Sequence, residues 1–199
     1  MQRSESVEPS PRALELASHL RHADRHIQGV TFRRWPYGAS SRELPGLQVL
    51  VGHSQTEGRS SFHYLTAGAS DILDHPGYGL EFCFQSNVEA EQHIELLASV
   101  VYMHLDPNHR LGVGHTMNIG RPVLPGSRLD RLLVSIPYPY GGDFEFIHFA
   151  DDHHARILWL MPICPSEERA CHEEGLDSIE AKFEKAQVDF LNAFRDCVA

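Results

Sequence analysis

Residues 62–85 constrain the fold of this 199-residue chain more than any other stretch. Two runs of alternating side chains stand there, separated by polar turns. In the first run Phe62, Tyr64 and Thr66 fall on one side and His63, Leu65 and Ala67 on the other, as successive residues of a strand do. Gly68 breaks the run, and Ser70 and Asp71 are placed to hydrogen-bond neighbouring turn amides. Pro76, Gly77 and Gly79 mark a second turn. Beyond it Leu80, Phe82 and Phe84 alternate with Glu81, Cys83 and Gln85, the pattern of a half-buried strand. Strands at 62–67 and 80–85 are expected to be neighbours in one sheet. Glu81 either faces solvent by alternation or is paired inside with a histidine or an arginine; buried and unpaired, its pKa would rise.

Helical patterns flank this stretch. Ser10 and Pro11 read as an N-cap and first helical residue, and Ala13, Leu16, Ala17, Leu20 and Ala23 keep helical spacing towards Ile27. Ile94, Leu97, Ala98, Val101 and Leu105 form a second apolar stripe, stopped by Asp106-Pro107. Short strands are expected at 113–119, 131–136, 144–149 and 155–163, the last two as a hairpin. Pro165 to Glu168 opens a helix with acidic residues where the dipole favours them, and Gly175 closes it. Asp177 and Glu180 read as a capping-box start to a final helix burying Ile179, Phe183, Ala186, Phe190, Phe194 and Cys197. Helices at both ends and between groups of strands imply an α+β single domain, a mostly antiparallel or mixed sheet packed with helices. Residues 1–10 read as a flexible tail and 11–199 as the domain.

Three local motifs occur together: His63-Tyr64, Gly68-x-Ser70-Asp71, and Gly77-Tyr78-Gly79-Leu80-Glu81-Phe82. In this combination the chain resembles the Suppressor of fused domain family, over roughly residues 47–191. Gly114-His115, the strand at 132–136, the run 158–164, Ser166-Glu167-Glu168 and Gly175-Leu176 extend the resemblance. It implies a short, single-domain, bacterial-type member and a non-enzymatic protein-binding function. It gives His63, Gly68, Ser70, Asp71, Gly79 and Glu81 structural roles. It places Tyr64, and Asp74 beside it, near a site where the animal member clasps an extended peptide by strand addition. Short members are similar to immunity proteins that bind and neutralise a cognate toxin, which makes a basic toxin domain the expected partner.

The formal net charge of −10 argues against nucleic acid, whose binding needs a positive field, and suits a basic protein partner. No apolar run approaches the ~20 residues of a membrane helix. The first residues lack the apolar core of a signal peptide, so a cytoplasmic location is expected. Cys83, Cys164, Cys171 and Cys197 form no C-x-x-C pair and read as free thiols.

Gly68-Ala69-Ser70 resembles the start of a nucleophile elbow, but Ile72 stands where the last glycine belongs and Pro76-Gly77 interrupts the helix an elbow needs. A hydrolase using Ser70, with His63 and Asp71 completing a triad, is the alternative function, as is a metal held at Asp151-Asp152-His153-His154. Adjacent residues of a hairpin tip point apart and rarely close a metal shell, so neither metal nor cofactor is expected. Pro137-Tyr138-Pro139-Tyr140 and Trp35-Pro36-Tyr37 are aromatic and loop-like. Tyr138 and Tyr140, with Tyr64, are the expected exposed anchors of a protein interface.

Overall fold

A computed structural model describes residues 11–27, 30–35, 44, 46–56, 58–71, 74–75, 78–149 and 153–199. The tail at 1–10, Pro36, Tyr37, Asp151 and Asp152 lie outside the described residues. The elements run α1 (Pro11–His26), β1 (Thr31–Trp35), β2 (Gln48–Thr56), β3 (Arg59–Ala67), β4 (Asp74–His75), β5 (Tyr78–Ser86), α2 (Glu91–His104), β6 (Thr116–Asn118), β7 (Arg131–Ser135), β8 (Phe146–His148), β9 (His154–Ile163), α3 (Pro165–Glu174) and α4 (Leu176–Lys185).

The described strands form one mixed sheet in the order β1-β2-β3-β5-β9-β7-β6. The two strands expected to be neighbours are paired: β3 lies antiparallel to β5, with Tyr64 opposite Phe84. β4 extends the same side of β5, and β8 forms the expected hairpin with β9. The parallel pair is β5 with β9; the chain reaches it through a long crossover that carries α2, as parallel neighbours require.

The central strands are buried on both faces, not half-buried as the alternation suggested. Tyr64, Leu80, Phe82 and Phe84 pack with Ile94, Leu97 and Val101 of α2. Leu65, Ala67 and Cys83 pack on the other face with Ala23 of α1, Cys171 of α3, and Ile179 and Phe183 of α4. Period two is therefore present, but the face that carries Glu81 is also core.

Three further expectations are corrected. The apolar stripe after Gly175 is not one helix to Cys197. α4 ends at Lys185, and Gln187 takes φ +50°. The Val188 amide then donates to the Phe183 carbonyl and the Gln187 amide to Glu184, the pairing of a Schellman end. Phe183 is buried, Phe190 is half-buried, and Phe194 is 55% exposed. The expected capping box is also absent: Glu180 instead accepts from Ser135 Oγ (2.7 Å). Third, Cys164 and Cys197 are joined as a disulfide across 33 residues, with Cα atoms 6.3 Å apart, while Cys83 and Cys171 are free and buried. The C-terminal segment folds back onto the end of β9, a closeness that spacing along the chain cannot reveal.

Candidate functional site

The Glu81 carboxylate is the centre of the turn between β3 and β5. It is fully buried and is surrounded by donors. Oε1 accepts from His19 Nε2 (3.0 Å), the Gly68 amide (3.1 Å), the Ser70 amide (3.1 Å) and Ser70 Oγ (2.7 Å); Oε2 accepts from Thr66 Oγ1 (2.5 Å). Of the alternatives open in the sequence, internal pairing with a histidine is the one realised. Gly68 sits at φ +92°, and a Cβ on Gly79 would stand 2.5 Å from Ser70 Cβ, so the turn and β5 approach as only glycine permits. Burial alone would raise the Glu81 pKa, but the His19 charge and the hydrogen bonds outweigh it and hold the pKa below its ordinary value. The turn is thus held by Glu81 accepting from the Gly68 and Ser70 amides and from Ser70 Oγ; Asp71 is exposed and accepts no hydrogen bond from another described residue.

The triad partners do not converge. Ser70 Oγ is committed to Glu81. His63 Nε2 lies 3.1 Å from Ser61 Oγ, and its Nδ1 lies 3.0 Å from Tyr140 Oη. Among the described residues no three His, Cys, Asp or Glu side chains form a metal-binding group. His154 of the expected hairpin tip packs against Tyr78 and Phe146 instead.

Of the expected tyrosine anchors, Tyr64 is corrected from exposed to core. It is 1% exposed, because its strand face is covered by α2. Its Oη accepts from the Ala90 amide (3.1 Å) and donates to the Val88 carbonyl (3.4 Å), fixing the entry to α2. Tyr64→Phe is expected to cost about 1–2 kcal/mol in urea denaturation; unchanged stability would contradict this role. Tyr140 is half-buried, with its ring 4.4 Å from that of Phe144. Asp74 lies in β4, and its side chain is outside the described residues.

Tyr138 alone of the three is well exposed, at 47%. It lines a cleft of about 680 Å³ with Trp159, Phe183, Phe190 and the acidic residues Asp177, Glu180, Glu184 and Asp189. The Schellman end of α4 makes this cleft, because it turns the chain back and brings Val188 to Leu191 along its side. The floor is a run of edge-on rings: Tyr138 on Trp159 (5.0 Å), Trp159 on Phe190 (5.2 Å), Phe190 on Phe183 (5.2 Å). Burial, followed by the Glu180 and Glu184 carboxylates, pushes the Tyr138 pKa up to about 12. Tyr138 was legible as an aromatic in a Pro-rich loop; its acidic partners on α4 lie some 40 residues onward and were not.

A second buried carboxylate, missed in the sequence, anchors the C-terminal segment beside the cleft. Glu167, fully buried, forms a two-pronged pair with Arg195 (2.7 and 2.8 Å) and accepts from the Cys164 and Val198 amides. The Arg195 guanidinium also lies 5.6 Å from the ring centres of both Phe183 and Phe190.

Residues 43–196 match the family model described as Suppressor of fused protein (SUFU). Among solved structures, the chain is similar to a putative SUFU homolog from Neisseria gonorrhoeae, with 28% identity and a TM-score of 0.77, covering 93% of this chain and 97% of that one. It is also similar in fold to a chain of the Sufu–Fu complex, with 11% identity and a TM-score of 0.71, covering 92% of each. Drosophila Suppressor of Fused matches with 13% identity and a TM-score of 0.62, over 76% of this chain and 42% of that one. No curated protein matches the sequence.

Proposed function

Because the chain belongs to the Suppressor of fused protein (SUFU) family, we propose that it works by stoichiometric binding of a protein partner and performs no chemical step of its own. The family match over most of the chain carries this reading. It is supported by the fold shared with a chain solved in the Sufu–Fu complex. The net charge of −10 selects a basic partner by complementary potential. The partner class proposed is a basic toxin domain, and the role is that of an immunity protein neutralising it in the cytoplasm.

Affinity capture with the full chain from its source organism, and direct mixing with the product of the adjacent gene, test this reading. The expected result is one retained basic protein whose growth inhibition is relieved by co-expression of this chain. The association rate should fall as salt rises, since screening acts over ~8 Å at physiological ionic strength. Capture of nothing, together with turnover of a small ester or phosphate by the purified chain, would reverse the reading in favour of the hydrolase.

A further inference from the structure

We propose that the cleft between Tyr138 and α4 is the receptor for an arginine side chain presented by a basic segment of the protein partner. This deepens the protein-binding reading and rests on it for the source of the arginine. Four observations carry the assignment. The cleft volume, about 680 Å³, lies within the range that holds small ligand groups. Its floor is aromatic, and its walls carry Asp177, Glu180, Glu184 and Asp189.

The acidic side chains differ in their commitments. Glu180 is held by Ser135 and Asp189 pairs with Arg59. Asp177 and Glu184 are exposed and have no side-chain hydrogen bond or ion pair among the described residues, so two carboxylates stand available for an incoming cation. Trp159 supplies the third observation: it lines the cleft, is 1% exposed, and its indole N–H has no acceptor among the described residues.

The fourth observation is internal. The Phe183 and Phe190 rings that line the cleft already sit 5.6 Å from the guanidinium of Arg195. The same aromatic pair therefore accepts a guanidinium within this chain. Arginine suits the cleft better than lysine, because a planar guanidinium stacks on rings while its fork of donors meets two carboxylates.

The full chain with Trp35→Phe leaves Trp159 as its single tryptophan, and its fluorescence reports occupancy. The probe is the blocked tripeptide acetyl-Ala-Arg-Ala-amide, with acetyl-Ala-Gln-Ala-amide as the neutral control. The arginine peptide is expected to change Trp159 emission saturably and to bind at least about tenfold more tightly than the control. The double variant Asp177→Asn, Glu184→Gln should weaken it by about tenfold or more, with the circular dichroism of the fold unchanged because neither side chain holds another. Equal binding of both peptides, or no change in the double variant, overturns the proposal. A dimer of the chain that the double variant abolishes also overturns it, by giving the cleft to a second copy. The two readings fail separately. A captured partner whose affinity ignores the double variant leaves protein binding standing and removes this site; charge-dependent peptide binding with no protein partner keeps the site and removes the partner.

Discussion

Replacing Glu81 by alanine is expected to destabilise the fold by about 3–5 kcal/mol, the range for breaking a buried, hydrogen-bonded charge pair. The side chain is fully buried, so no water replaces it. Its loss strands the Gly68 and Ser70 amides and the Thr66 and Ser70 hydroxyls, and takes the carboxylate away from His19 Nε2. Buried donors left unpaired cost ~1–3 kcal/mol each, and the summed penalty is capped by relaxation of the turn. Glu81→Gln keeps an oxygen acceptor for the turn amides, and Thr66 Oγ1, which already accepts from the Phe82 amide, can rotate its proton. The glutamine variant should therefore lose roughly 1–2 kcal/mol, mainly the charge-assisted part. Urea denaturation at pH 7.5 measures both. An alanine variant within about 1 kcal/mol of the parent would show that the turn stands without the carboxylate.

Acidification from pH 7.5 to 5 is expected to remove at least about 4 kcal/mol of stability, about 4 from His63 and His93 together. A smaller, solvent-screened share comes from the half-buried His22, whose pKa burial also lowers to about 4. His93 is 0% exposed, lies between the rings of Tyr64 and Phe84, and has both ring nitrogens buried with no hydrogen-bond partner among the described residues. Burial lowers its pKa to about 4; burial, followed by the His53 charge, lowers that of His63 to about 4. Both folded-state values lie below the unfolded value of 6.5. The unfolded chain therefore takes up these protons first. The stability is present above pH 6.5 and drains as the pH falls towards 4, at about 2 kcal/mol per histidine by pH 5. Glu81 does not contribute in this window: its pKa is depressed below 4.5, so its stabilisation is lost only at lower pH. His93→Phe keeps an aromatic ring and removes the titration. It should recover about 2 kcal/mol of the loss at pH 5. A variant with the parent's full pH dependence would place the acid sensitivity elsewhere.

The sheet was readable where local pattern decides it. The alternations at 62–67 and 80–85 put β3 and β5 in place, and Pro11, Asp106-Pro107 and Gly175 marked helix ends that the structure keeps. What was not readable depends on segments far apart in the chain. Glu81 meets His19 across 62 residues and Arg195 meets Glu167 across 28; neither distance has a periodicity. Burial of β5 on both faces follows from α1 and α4 returning to cover the side that carries Cys83, which alternation alone cannot distinguish from solvent. The end of α4 was missed because Gln187, rather than a glycine, takes the left-handed position of the Schellman turn. That same turn builds the cleft, so the candidate site was visible only as Tyr138 in its Pro-rich loop.

The proposed function is binding of a protein partner that is left chemically unchanged. Titration calorimetry of the full chain against its captured partner, at low and at physiological salt, measures this most directly. The predicted result is one partner per chain, an affinity that weakens as salt rises, and a partner of unaltered mass after incubation. A substoichiometric endpoint with a partner of altered mass, or heat from continuing turnover, would contradict it.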